Sequence, residues 1–379
     1  MNKRIVLICF GLFFQIVTSQ VAYETIKSSK LGETREVKIQ LPRNYDPEGD
    51  ILYPLIVVLD GDYLFEPMSG NADYHSYWGD MPKSIVVGIN QVNNRDEDLS
   101  FSDTTYFPSD EGGSQFFEFV GMELIPYINK NYLTSNFRIV VGHDKSANFI
   151  NYWLFKDKPL FRGYIAFSPD LSPEMVSRLQ EKLSITSEDT FYYLATADND
   201  VSVLREAILA CNTALSTIEN PKLHYRFDDF TDADHYSLVG LGIPKAINEI
   251  FGLYKPINKK EYKDKVLTYE EGPFSYLMKK YEDIAFFYGF EKKVVENDLR
   301  AILAAAKKKD DIESMKSLSK LAKKEYPKSM ISAYYSGLYQ EMNGNSRRAL
   351  VEYQSGLLLE ESEFVNKEML LDKIYDLQE

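Results

Sequence analysis

At 379 residues the chain has room for one large domain and a smaller one, and its 44% hydrophobic and 14% aromatic content supplies a core for both. Its formal charge of −14 comes without a basic stripe, so a nucleic-acid partner is not expected. Of its two cysteines, Cys9 and Cys211, the first falls in an apolar leader, so no intrachain disulfide is expected.

Met1 to Gln20 read as a secretory signal. Lys3 and Arg4 open it, Ile5 to Phe14 form the apolar run, and Val17-Thr18-Ser19 offer a cleavage site. The run is too short for a transmembrane helix, so no span is expected after cleavage. The expected address is outside the inner membrane, in the periplasm.

Val21 to Lys30 and Glu33 to Leu41 read as two strands joined at Gly32. In the second, Val37, Ile39 and Leu41 alternate with Lys38 and Gln40, so one face is apolar. Six further apolar runs of strand length follow: Leu52 to Leu59, Ser84 to Ile89, Arg138 to Val141, Gly163 to Phe167, Phe191 to Thr196 and Leu223 to Phe227. Continuous apolar strands belong in a sheet covered on both faces, which favours parallel pairing. Helical spacing separates them. Gln115 to Asn131 aligns Phe116, Phe119, Val120, Leu124 and Ile128, and Val203 to Ile218 and Ser237 to Phe251 repeat the pattern. The alternation predicts an α/β fold with a doubly wound, mostly parallel sheet. Ligands bind such sheets at the carboxyl ends of the strands. There stand Asp60-Gly61-Asp62, Gly142-His143-Asp144 and Asp198-Asn199-Asp200, with His235 after the last strand. The polar loop from Asn93 to Gly113 is either a roof over that cleft or a mobile acidic surface loop.

The stretch FRIVVGHDKSANFINYW, Phe137 to Trp153, is the chemical centre. A buried strand, a glycine turn and a helix make a nucleophile elbow, whose usual form G-x-S-x-G holds a strained serine at the apex. Here the apex residue is Asp144, and Ser146 stands at the closing position.

From about Asn258 strand signals stop and helices take over. Two segments match at a spacing of about 34 residues, the tetratricopeptide length. Ala306, Ala322 and Pro327 in one, and Gly337, Gly344, Ala349 and Tyr353 in the next, sit at that repeat's small-residue and punctuation positions. Phe364 to Leu377 reads as a capping helix. The predicted organisation is a signal over 1–19, an α/β domain over 20–257 and an all-α, tetratricopeptide-like region over 258–379 that packs against it.

Several stretches together resemble the putative-esterase family of α/β hydrolases, which includes esterase D and enterochelin-esterase-like proteins. They are REVKIQLPRNY, YPLIVVLDGDYLF, SIVVGIN, FFEFVGMELIPYINKNYLTSNFRIVVGHD and DHYSLVGLGIPKAINEIF. The resemblance implies an α/β-hydrolase fold and carboxyl-ester hydrolysis by descent, with no cofactor and a small-molecule ester as ligand. Position by position, it puts the nucleophile on Asp144, the catalytic histidine on His235 and the acid on Asp198 or Asp200. It puts the oxyanion-hole amides on the backbone of Lys145 and Asp62.

Asp144 has no proton for a histidine to remove at neutral pH. Three readings follow: impaired acyl hydrolysis, attack by the Asp144 carboxylate at saturated carbon, or a pseudoenzyme that binds a ligand in the pocket or a protein through the helical tail. Ser146 is a conceivable rescue nucleophile, but its place in the helix turns it from His235. His143 is expected to be packed or hydrogen-bonded rather than catalytic. His75 and His224 lack metal-ligand spacing, so no metal is assigned. Asp228, Asp229, Asp232 and Asp234 either raise the pKa of His235 or form a solvated loop. Cys211, in a helical pattern, is expected to be buried and inert.

Overall fold

Eight strands form one sheet in the computed structural model, which describes residues 21–378. The predicted signal segment lies outside these residues. The strands are β1 (Val21–Lys27), β2 (Thr34–Gln40), β3 (Tyr53–Val58), β4 (Ile85–Ile89), β5 (Thr134–His143), β6 (Gly163–Phe167), β7 (Thr190–Asn199) and β8 (Leu223–Asp234). Their order is β1-β2-β4-β3-β5-β6-β7-β8. β1 pairs with β2, and β2 with β4, antiparallel; every later pairing is parallel. This is the α/β-hydrolase arrangement, as expected.

The central strands are apolar throughout because both faces are covered. Every residue of β3, β4 and β6 is buried. Neighbouring side chains point to opposite faces, so Val57 and Val140 join one core while Ile56 and Ile139 join the other. Helices α1 (Phe65–Tyr77) and α2 (Arg95–Asp98) follow β3 and β4. Helices α3 (Gly113–Glu118) and α4 (Ile125–Asn131) precede β5, joined by a π-helical turn. Helices α5 (Lys145–Phe149) and α6 (Asn151–Leu154) follow β5, then α7 (Met175–Ser184), α8 (Ser202–Leu215) and α9 (Ser237–Ile250) follow β6, β7 and β8. The first core takes its helical residues from α3 to α8, the second from α1, α9 and a later helix over Pro273–Tyr288.

Two strands run longer than their apolar runs predicted. β5 extends to Thr134 and His143 because its polar ends still pair, Thr134 with Tyr53 and His143 with Phe167. β8 continues through an acidic stretch, where Asp229 pairs with Thr196 and Asp234 with Asn199. As the sheet's last strand it pairs on one side only, so hydrophobicity is not needed along its whole length. The alternative of a solvated acidic loop is corrected in its form alone: the stretch is strand, while Asp229, Asp232 and Asp234 are exposed.

After α10 (Lys259–Glu261) come α11 (Pro273–Tyr288), α12 (Glu296–Lys309), α13 (Ile312–Glu325), α14 (Met330–Met342), α15 (Ser346–Gly356) and α16 (Lys367–Asp376). From α12 onward each helix packs on the next. Asp311, Ser329 and Asn366 cap α13, α14 and α16 by accepting backbone amides. Ala306, Ala322, Ala349 and Tyr353 are buried between the helices. Gly337 is required at its crossing, since a Cβ there would lie 2.1 Å from the Tyr353 ring. The tail has its own core, but α11 serves two: Leu277 and Tyr281 face the tail, while Ile284 and Tyr288 enter the core beneath the sheet. The Tyr288 hydroxyl donates to the Ile250 carbonyl at 2.9 Å, and its ring meets Phe137 edge-on at 5.1 Å. Among the described residues no helix is long and apolar enough to cross a membrane.

Candidate functional site

The elbow forms as its sequence predicts. β5 ends at His143, α5 starts at Lys145, and Asp144 between them holds φ 60° and ψ −124°. A non-glycine residue held there stores roughly 1–3 kcal/mol of strain. Surrounding hydrogen bonds fix it. The Asp144 amide donates to the Phe167 carbonyl, and its own carbonyl accepts from the amides of Ala147, Asn148 and Asp170. Gly142 cannot carry a side chain, because a Cβ would lie 2.6 Å from the backbone of Ser146. Ser146 is fully buried and its hydroxyl is spent locally, donating to the His143 carbonyl and accepting from the His143 amide, both at 2.9 Å. It is no substitute nucleophile.

His235 follows β8, and its Nδ1 lies 2.8 Å from Asp200 Oδ1. This separates the two candidate acids. Asp200 is the partner of His235. Asp198 instead accepts the backbone amides of Asp232 and Ala233, at 3.0 and 3.3 Å, and so braces the chain before His235. Burial pushes the Asp200 carboxyl up, but hydrogen bonds from His235, Ser168, Thr196 and the Val201 amide outweigh it and hold the group at about 2. His235 is raised, first by its hydrogen bond to Asp200, against desolvation, with the charges of Asp200, Asp144 and Asp234 adding to the rise. Asp228 and Asp229 are engaged elsewhere, with Tyr193 and Arg205 respectively.

Asp144 and His235 share one site but do not pair. Among the described residues the Asp144 carboxylate forms its ion pair with Arg95, Oδ2 to Nη2 at 3.3 Å, and His235 forms its pair with Asp200. Arg95 is held in turn by the buried Asp60, Nε to Oδ1 at 2.7 Å and Nη2 to Oδ2 at 3.1 Å, and also donates to the His143 carbonyl. The next residue along repeats the arrangement with signs reversed: Asp96 pairs with Lys145 at 2.7 Å. Consecutive residues of α2 thus latch onto consecutive residues of the elbow. The loop from Asn93 to Gly113 is accordingly not a loose acidic segment. Arg178 also donates to its Thr105 and Tyr106 carbonyls, and Phe107 packs on Tyr152.

His143 is buried and hydrogen-bonded, as expected. Its Nε2 meets the His235 carbonyl at 2.9 Å, its Nδ1 meets the Tyr63 hydroxyl at 3.1 Å, and the two imidazole centroids are 4.4 Å apart. A carbonyl only accepts, so Nε2 carries a proton, while burial and the charge of His235 pull the group's pKa down. Lys145 is the first residue of α5, so its amide is among the helix's unpaired donors. Asp62 is fixed at the end of β3 by its carboxylate, which accepts the amides of Gln91 and Val92 at 2.6 and 2.9 Å. His224 stacks on Phe191 and pairs with Asp189, and Cys211 is fully buried.

Arg95, Asp60 and Ser168 were not legible as site residues. Arg95 hides in an acidic loop. Ser168 carries no motif, although it ends β6 at the same sheet edge and its Oγ lies 2.9 Å from Asp200 and 3.0 Å from His235 Nδ1. Asp60 was visible only as a strand-end residue.

Comparison with known proteins agrees with the fold. The family described as "Putative esterase" matches residues 28–216. The solved structure of an uncharacterised protein from Capnocytophaga ochracea superposes with a TM-score of 0.83 at 30% identity, covering 95% of this chain and 99% of its own. An IroE-like serine hydrolase from Shewanella oneidensis superposes with a TM-score of 0.62 at 22% identity, over 79% of this chain and 98% of its own. The uncharacterised protein YjcH of Bacillus subtilis is 24% identical over 218 residues, 55% of this chain and 87% of its own. The chain belongs to the putative esterase family of α/β hydrolases.

Proposed function

We propose that this chain is an exported pseudo-esterase: a hydrolase-family protein whose inherited site binds a small ligand but does not hydrolyse acyl esters. The observation that carries this reading is the ion pair between Asp144 and Arg95 at the elbow. A serine hydrolase, as the Shewanella oneidensis relative is named, needs a hydroxyl there for the histidine to deprotonate. Asp144 offers a carboxylate held by a guanidinium. Attack by it on an ester carbonyl would give an anhydride, a poor intermediate. His235 and Asp200 retain the base and its orienting acid, and the Lys145 and Asp62 amides the oxyanion donors, without a nucleophile to serve. On this reading the tetratricopeptide-like tail offers a second surface, for a protein partner. Purified protein assayed on short acyl esters should show background turnover that His235→Ala does not lower. Turnover clearly above background and lost in His235→Ala would overturn the reading.

A second reading keeps catalysis. The intact His235–Asp200 pair favours it, since an imidazole so oriented could activate water against an alkyl ester formed on Asp144. Haloalkanes and epoxides are the substrates to test. Single turnover in heavy-oxygen water should label Asp144 if this reading holds; turnover with an unlabelled Asp144 peptide would exclude it.

A further inference from the structure

Arg138 stands near the start of β5, some six residues and roughly 20 Å from Asp144 along the strand. Its Nε is shielded from solvent and has no hydrogen-bond acceptor among the described residues. Among the described residues no carboxylate pairs with its guanidinium, and burial alone pulls its pKa below the ordinary value. The other inward-facing arginines are matched: Arg35 by Asp98 and Glu33, Arg95 by Asp60. A half-buried cation left without a counter-charge is costly, and an arginine presents five N–H donors in a fork suited to an oxyanion.

The guanidinium lines a cleft of about 340 Å³ between the start of β5 and the end of α11. Arg162 lines it too, as does its one carboxylate partner among the described residues, Glu188, which is mostly exposed. Two guanidinium groups therefore face one surface carboxylate, a local excess of positive charge in a strongly acidic chain. Pro159, Leu160 and Phe287 supply apolar contacts beside the two guanidinium groups. The volume is at the small end of ligand pockets.

We propose that this cleft is a binding site for a small oxyanion, a carboxylate or a phosphate, held by Arg138 and Arg162. It does not depend on what the Asp144 site does. An anion seated there supplies the counter-charge Arg138 lacks and draws on N–H groups of Arg162 not taken by Glu188.

The test is thermal melting and titration calorimetry of the full mature chain with inorganic phosphate, acetate or benzoate, against chloride at matched ionic strength. The wild-type chain should show a saturable rise in melting temperature with phosphate or with the carboxylates, and the arm that responds names the source. Arg138→Met should weaken that binding at least tenfold, and should itself melt higher than wild type in chloride, because its uncompensated charge is gone. Arg162→Gln should weaken binding by a smaller factor; it provides the comparison if Arg138→Met fails to fold. The proposal is overturned if the wild type shows no saturable response to any of the three up to about 50 mM, or if the variants respond as wild type does.

Discussion

Asp200 keeps its charge because three side chains and one amide converge on it, and that makes the site's pH behaviour specific. Its pKa is depressed to about 2, so its contribution to stability is present above the ordinary carboxylate value, about 4, and is lost as pH falls through about 2. His235 runs the other way. Its pKa is raised, so its contribution is full below the ordinary imidazole value, about 6.5, and fades as pH rises through the raised one. Asp200→Asn should therefore return the His235 titration, followed by NMR, toward its ordinary range. Asp198→Asn, which removes only a brace on the chain before His235, should leave it in place. Cys211 makes a separate residue-scale case. Burial pushes its thiol up to about 12, so a thiol reagent should not label the native protein at neutral pH but should label it fully in denaturant.

The element that distinguishes this site is the short helix α2. Its Arg95 serves two carboxylates in unequal settings: Asp60 is buried, while Asp144 is a quarter exposed. Removing a buried pair's cation strands the carboxylate, so Arg95→Ala should cost about 3 kcal/mol in urea denaturation. Asp144→Asn removes only the weaker pair and should cost about 1 kcal/mol or less. Equal losses would mean that the latch on the elbow, rather than Asp60, carries the energy. The elbow itself could be read from Gly142 and the apolar run before it, because tight turns and buried strands leave local signatures. The latch could not. Arg95 and Asp144 lie 49 residues apart, and their meeting depends on where two loops end up at the sheet's edge. The same holds for Asp198 against Asp200. Both stand at one strand end, and only the register of β7 against β8 decides which reaches His235.

At the scale of the whole molecule, α11 joins the sheet to the helical tail. The helical character of the tail and its small residues could be read from spacing, but the double role of α11 could not, since Leu277, Tyr281, Ile284 and Tyr288 form one apolar stripe whose first half enters one core and whose second half enters the other. Tyr288 is the bolt on the sheet side. Tyr288→Ala should cost roughly 3–5 kcal/mol, the range for truncating a large buried aromatic. It should also loosen the tail, read as faster proteolysis between α9 and α12. Tyr288→Phe gives up only the hydrogen bond to Ile250 and should cost about 1 kcal/mol. Because the Asp144 site lies at the sheet's other end, neither change should alter the His235 titration.

The proposal that Asp144 silences an otherwise complete site is tested most directly by restoring the hydroxyl. Steady-state kcat/KM on short acyl esters is the quantity to compare between the wild type and Asp144→Ser. It should rise at least a hundredfold in the variant, about 2.7 kcal/mol of transition-state stabilisation, and be lost again when His235→Ala is added. A wild-type value that already depends on His235 and equals or exceeds that of Asp144→Ser would contradict it.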